Sequence, residues 1–107
     1  MKNLYPIALV IAISLTSAPA TAQTSPVKEL FAGKCAACHG ADGSSSTGVG
    51  RSLKIPSFHS PDVQNHPDAD LKAMITKGKG AMPSFAGKLT DSQIDELVIY
   101  IRALGKK

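Results

Sequence analysis

The sequence has no tryptophan, only three phenylalanines and only two tyrosines, one of which (Tyr5) stands among the first few residues. A chain of 107 residues with so few large rings struggles to bury enough apolar surface alone. Small domains of this kind rely on a staple, whether disulfides, a metal or a cofactor. Cysteine is equally scarce. Cys35 and Cys38 are the only two, and a disulfide between them would close a tiny loop that constrains the unfolded chain little. Long lysine and arginine runs are missing, and the net charge of +4 is too mild for a nucleic-acid binder. No apolar run reaches the roughly 20 residues that span hydrocarbon. Period-2 alternation of useful length is absent, so no strand is predicted.

The first 22 residues stand apart from the rest. Lys2, the short apolar run Ile7 to Leu15, and the small residues ending Ala18-Pro-Ala-Thr-Ala22 follow the order of a secretory signal peptide cut after Ala22. Pro6 and Pro19 flank the run, which argues against an uncleaved anchor. No cysteine follows it for lipid attachment. Residues 1–22 are therefore expected to be removed, leaving residues 23–107 as one exported domain. A periplasm or an equivalent lumen is the expected compartment, with no membrane insertion after the cut.

Ser25-Pro26 is a helix start, a capping hydroxyl followed by proline in the first turn. Val27, Leu30, Phe31, Cys35 and Cys38 recur near helical period, so a first helix is predicted from Pro26 to Cys38. From Gly40 to Pro67 the chain is rich in Gly, Ser, Pro and Asp. A loop this long is uncommon unless it wraps something; Val49, Leu53, Ile55 and Phe58 are its apolar anchors. Asp68 or Asp70 can cap a second helix with Leu71, Met74 and Ile75 on one face, stopped at Gly78-Lys-Gly80. Gly80 to Phe85 reads as a loop. Thr90 and Gln93 form a capping box, with Leu89 and Ile94 as a hydrophobic staple. Ile94, Leu97, Val98, Ile101 and Leu104 make the apolar stripe of the last helix, and Gly105 ends it. The predicted fold class is all-α, with three main helices and long loops.

Cys35-Ala-Ala-Cys38-His39 carries the chemistry. A structural zinc site needs a second ligand pair, and His59 and His66 sit too close together in the polar loop to supply one. A redox dithiol of the thioredoxin kind opens a helix beside a strand, whereas this pair ends a helix in a chain without strands. The remaining reading is covalent haem attachment. Two cysteines three apart share one face of a helical turn and can form thioethers on one porphyrin edge, while His39 reaches the iron. For the second axial position the candidates are Met82, Met74, His59 and His66. Met74 lies at helical spacing among Leu71 and Ile75 and reads as a core side chain. Met82, in a loop beside Pro83, has no helical face to bury and is the favoured ligand.

Together, Cys35-x-x-Cys38-His39, the Gly78-Lys-Gly-Ala-Met82-Pro83 loop and the closing helix from Thr90 to Leu104 resemble small class I c-type cytochromes, specifically soluble bacterial and algal monohaem carriers. The resemblance covers most of Val27 to Leu104. It implies a cytochrome c-like fold around one haem c, with thioethers to Cys35 and Cys38 and axial ligands His39 and Met82. It also implies that Phe31 and Tyr100 meet where the first and last helices cross, with Leu97 and Val98 nearby and Leu71 and Met74 on the haem wall. Two positions depart from the family's pattern. Val27 stands where glycine is common, which implies a wider or shifted helix crossing. No proline occupies Gly48 to Leu53, where the family often uses a proline carbonyl to accept the second ring N–H of the histidine. That role is left to some backbone carbonyl of the stretch.

The expected function is periplasmic shuttling of single electrons between redox proteins, without catalysis. Leu53, Ile55, Phe58, Leu71, Met74 and Ile75 are expected to keep water off the haem. Lys54, Lys77, Lys79 and Lys88 form a candidate collar for acidic docking surfaces on the partners, and a monomer is the default. Two alternatives share the motif: a haem subunit of a larger oxidoreductase, and a peroxidase or ligand sensor with a weak distal ligand.

Overall fold

The computed structural model describes residues 2–3, 6, 8–16 and 25–107. The expected cut after Ala22 lies outside them. Residues 8–16 form no helix or strand, and Leu9, Val10, Ile11, Ile13 and Leu15 are exposed. Among the described residues, no helix is long and apolar enough to cross a membrane.

Six helices follow: α1 (Pro26–Lys34), α2 (Ala36–His39), α3 (Gly48–Ser52), α4 (Pro61–Gln64), α5 (Asp68–Lys77) and α6 (Asp91–Gly105). Among the described residues there is no strand, only an isolated bridge between Lys79 and Met82. The all-α expectation holds, and α1, α5 and α6 are the three main helices.

The predicted first helix is interrupted at Cys35, whose φ of −124° and ψ of −35° lie outside the helical range. Cys35 N–H closes α1 onto the Phe31 carbonyl (2.8 Å), and the N–H groups of Cys38 and His39 then start a new turn on the Cys35 carbonyl (3.2 and 3.0 Å). A one-residue break leaves the apolar spacing intact, so periodicity does not register it. The supposed loop from Gly40 to Pro67 also contains two helical turns. α3 is capped by the Thr47 hydroxyl, which accepts from Gly50 N–H at 2.9 Å. α4 opens at Ser60-Pro61, the same start signal as Ser25-Pro26. Helices of five and four residues are too short to show an amphipathic period. The N-cap of α5 is Pro67, not Asp68 or Asp70; both aspartates lie inside the first turn, where a carboxylate suits the positive end of the helix dipole.

α6 follows the predicted pattern closely. Thr90 N–H donates to Gln93 Oε1 (2.9 Å), and Gln93 N–H donates to Thr90 Oγ1 (3.1 Å), which closes the capping box. Ile94, Leu97, Val98, Ile101 and Leu104 are all buried. α6 packs against both α1 and α5. At the first contact the rings of Phe31 and Tyr100 are tilted at 55° with centroids 5.1 Å apart, a favourable aromatic geometry. Phe31, Ile94 and Leu97 are the most deeply buried large side chains. Arg102 then ties the far end of α6 to the α4–α5 link. Its Nε donates to Asp68 Oδ1 (2.9 Å), Nη1 to the Gln64 carbonyl (2.8 Å) and Nη2 to the His66 carbonyl. The planar guanidinium suits such a fork of acceptors.

Leu97→Ala should destabilise the protein by about 2–5 kcal/mol, because a fully enclosed leucine leaves a cavity when truncated. Ile99→Ala, on the exposed side of the same helix, should change stability by less than about 0.5 kcal/mol. Urea unfolding of both variants checks the pair, and equal losses would contradict the packing described.

Candidate functional site

The two cysteines and the histidine lie in the tight turn after α1. The turn is tied down at several carbonyls. His39 N–H bonds the Cys35 carbonyl, Thr47 Oγ1 donates to the Cys38 carbonyl (3.0 Å), and Ser45 N–H donates to the His39 carbonyl (2.8 Å). Thr47 thereby caps α3 and grips the turn with one hydroxyl.

No disulfide joins Cys35 and Cys38. Burial, with a smaller contribution from neighbouring Cys38, pushes the Cys35 thiol up to about 11. A thiol held protonated in this way is the reverse of the lowered pKa that redox dithiols use. Burial moves His39 the other way, below its ordinary value, which keeps the imidazole neutral with a lone pair available to a metal. Among the described residues no three His, Cys, Asp or Glu side chains converge as a metal cluster.

Met82 reaches the same place from the other end of the chain. α5 stops at Gly78, and the loop that follows folds back onto its last turn. Lys79 and Met82 exchange backbone hydrogen bonds (3.1 and 3.0 Å), Phe85 N–H donates to the Ile75 carbonyl (3.2 Å), and Ser84 Oγ donates to the Thr76 carbonyl (2.7 Å). Met82 is half-buried against the core.

A cavity of about 20 Å³ joins these parts. Phe31, Cys35 and His39 line it from the α1 side, Phe58 from the long loop, Ile75, Met82 and Phe85 from α5 and its loop, and Leu97 and Ile101 from α6. The predicted site residues Cys35, His39 and Met82 are thus brought together. Cys38 is half-buried in the same turn, outside the lining. Of the expected apolar wall, Phe58 and Ile75 are in place. Leu53 is 49% exposed, Ile55 is off the cavity, and Leu71 is spent in the core. Met74 is half-buried and belongs neither to the core cluster nor to the lining, which corrects its reading as a core residue. Phe85, Leu97 and Ile101 take the missing places. Leu97 and Ile101 are four apart on one helix face, a signal that could have nominated them together. A larger surface groove of about 370 Å³ runs between α1 and α6 beside Glu29, Lys34 and Glu96, and no predicted site residue lines it.

The two other histidines stay outside. His59 Nε2 lies 3.1 Å from the Asp42 carbonyl oxygen, and His66 Nδ1 lies 3.7 Å from Asp70 Oδ2; both residues are exposed. The carbonyl expected to receive the second ring nitrogen of His39 is not found. Among the described residues, Nδ1 of His39 is buried without any hydrogen-bond partner. A buried polar atom left unpaired marks a site of special chemistry or strain.

Residues 22–101 match the family model described as cytochrome c oxidase, cbb3-type, subunit III. The chain is 35% identical over 95 residues to cytochrome c6 of Thermosynechococcus vestitus, covering 89% of this chain and 82% of that protein. It is 33% identical over 88 residues to cytochrome c6 of Synechocystis sp., covering 82% and 71%. It is also 31% identical over 85 residues to the cbb3-type cytochrome c oxidase subunit FixPc of Rhizobium leguminosarum, covering 73% of this chain but 26% of that one. Among solved structures, the KustC0563 c-type cytochrome superposes with a TM-score of 0.66 at 29% identity, covering 72% of this chain and 94% of its own.

The loop bearing Met82 depends on Gly78. Its φ is +73°, and a Cβ there would stand 2.6 Å from the Met82 carbonyl oxygen and 2.8 Å from Ser84 N. Gly78→Ala should therefore cost about 1–3 kcal/mol from backbone strain and overpacking. Denaturant unfolding measures it, and a loss under about 0.5 kcal/mol would mean that the loop is not held as described.

Proposed function

The chain belongs to the small monohaem class I c-type cytochromes, electron carriers with a covalently attached haem c, and from that premise we propose that Cys35 and Cys38 hold the haem, that His39 and Met82 are its axial ligands, and that the carrier works in a periplasm or equivalent lumen. The observation that carries the ligand assignment is that Met82 lines the same cavity as Cys35 and His39, although the chain between them includes the whole loop and α5.

The donor set fits the group. The Cys35 sulfur, a neutral imidazole with a buried unpaired nitrogen and a thioether converge on apolar walls, with Cys38 in the same turn as Cys35. The cavity is far smaller than a macrocycle, so seating one requires the Met82 loop and the His39 side to stand further apart than they do here. The haem supplies one-electron cycling of its iron. Everything else is the work of the chain. His39 and Met82 would hold the iron and leave no position for an exchangeable ligand. A thioether in place of a second imidazole favours the reduced state and raises the potential. Phe31, Phe58, Phe85 and Ile75 keep water away, which acts in the same direction. Peroxidase chemistry calls for a distal acid–base side chain, and besides His39 the cavity walls are apolar or sulfur-bearing.

Lys54, Lys77, Lys79 and Lys88 are exposed. Among the described residues none of them is engaged in a salt bridge. We assign them to a collar that steers acidic redox partners. A second reading, a haem subunit docked in a larger oxidoreductase, draws on the match to the cbb3-type subunit III family and to FixPc.

Met82→Ala should abolish the weak far-red sulfur-to-iron band of the ferric protein and lower its reduction potential. Survival of the band would mean another sulfur ligand. Electron transfer to a small acidic redox protein should slow by on the order of tenfold or more as salt rises from about 10 mM to about 500 mM. A flat response in stopped-flow would remove the lysine collar.

A further inference from the structure

We propose that Phe58 is the positioning residue that fixes the plane of the His39 imidazole, by stacking on its face instead of a hydrogen bond at its second nitrogen. This rests on the reading of His39 as an iron ligand. A metal-bound histidine ordinarily donates its other ring N–H to a carbonyl or carboxylate, which sets the ring's rotation. In this chain Nδ1 has no such partner. The carbonyls of the turn and of the loop beyond it bond other donors. Thr47 holds the Cys38 carbonyl, the Ser45 N–H holds the His39 carbonyl, and Ser45 Oγ donates to the Pro56 carbonyl at 3.1 Å.

The face of the imidazole lies instead on Phe58, with centroids 4.7 Å apart and planes inclined by 26°. Phe58 can impose a direction because it is itself immobilised. It is 5% exposed. Its N–H donates to the Gly43 carbonyl (2.8 Å), and its carbonyl accepts from Gln64 Nε2 (2.6 Å). Its ring is tilted at 60° against Phe31, centroids 6.0 Å apart. Gly43 closes the last side. With φ at +75°, it brings the backbone so near that a Cβ would stand 2.6 Å from Phe58 Cδ2. None of these contacts comes from residues 78–85.

The orientation of an axial imidazole governs how unpaired spin from ferric iron spreads around the macrocycle, and hence the order of its shifted methyl resonances. The test is proton NMR of the ferric holoprotein, parent against Phe58→Leu and Phe58→Tyr. The parent spectrum first checks the ligand reading. Imidazole ring protons far outside the diamagnetic range show axial histidine; their absence sinks that reading and this inference with it. Given those signals, Phe58→Leu should change the order of the methyl resonances, and Phe58→Tyr, which keeps the aromatic face, should preserve the parent order. A parent order retained in Phe58→Leu overturns the inference while leaving His39 as ligand. Should Phe58→Leu not accumulate as holoprotein, Gly43→Ala decides. It displaces the ring without altering its chemistry, so a changed order supports the stack and an unchanged order overturns it.

Discussion

Phe31 is the side chain on which the rest of this structure depends. Its ring is 1% exposed and meets Tyr100 of α6 on one side and Phe58 of the long loop on the other. Its carbonyl ends α1 by accepting from Cys35 N–H. One residue therefore joins the helix crossing, the wrapping loop and the start of the cysteine turn. In a domain with three phenylalanines and no tryptophan, little other large apolar surface is available for that role, and aromatic rings contribute more per residue than any other core side chain.

From that anchor the site is assembled by backbone more than by side-chain pairing. The cysteine turn is held by hydrogen bonds from Ser45 and Thr47, and the Met82 loop by bonds to the last turn of α5. Loops tied at their carbonyls keep their shape while remaining free of the repetitive pairing that helices demand. This suits a carrier. The haem stays in place for every electron, and no substrate has to enter or leave, so what is needed is a rigid cradle rather than an open pocket. The same cradle would serve a domain docked in a larger complex, and the chain is similar in sequence to proteins described in both ways, cytochrome c6 and a cbb3-type oxidase subunit.

The aromatic contacts bear on tuning as well as stability. Phe58 belongs at once to the core and to the cavity lining. A side chain with both memberships couples global packing to the immediate surroundings of His39, so the properties of the centre are set in part by residues as distant in sequence as Gly43, Gln64 and Phe31.

The local chemistry was legible from the residues alone. Cys35-x-x-Cys38-His39, read together with the export signal, the lack of strands and the lack of a second ligand pair, points to covalent haem, and Thr90 with Gln93 and the stripe from Ile94 to Leu104 describe α6 almost residue by residue, because capping and periodicity are short-range properties. The long-range assignments were not. The break at Cys35, the turns of α3 and α4, the departure of Leu53 and Met74 from the cavity and the arrival of Phe85, Leu97 and Ile101 all follow from which surfaces meet in space. So does the isolation of His39 Nδ1, since whether a carbonyl reaches it depends on the path of the loop. Sequence determined which groups this protein would use. Tertiary packing decided which of them face one another, because burial and stacking are settled between segments far apart in the chain, where no local pattern records them.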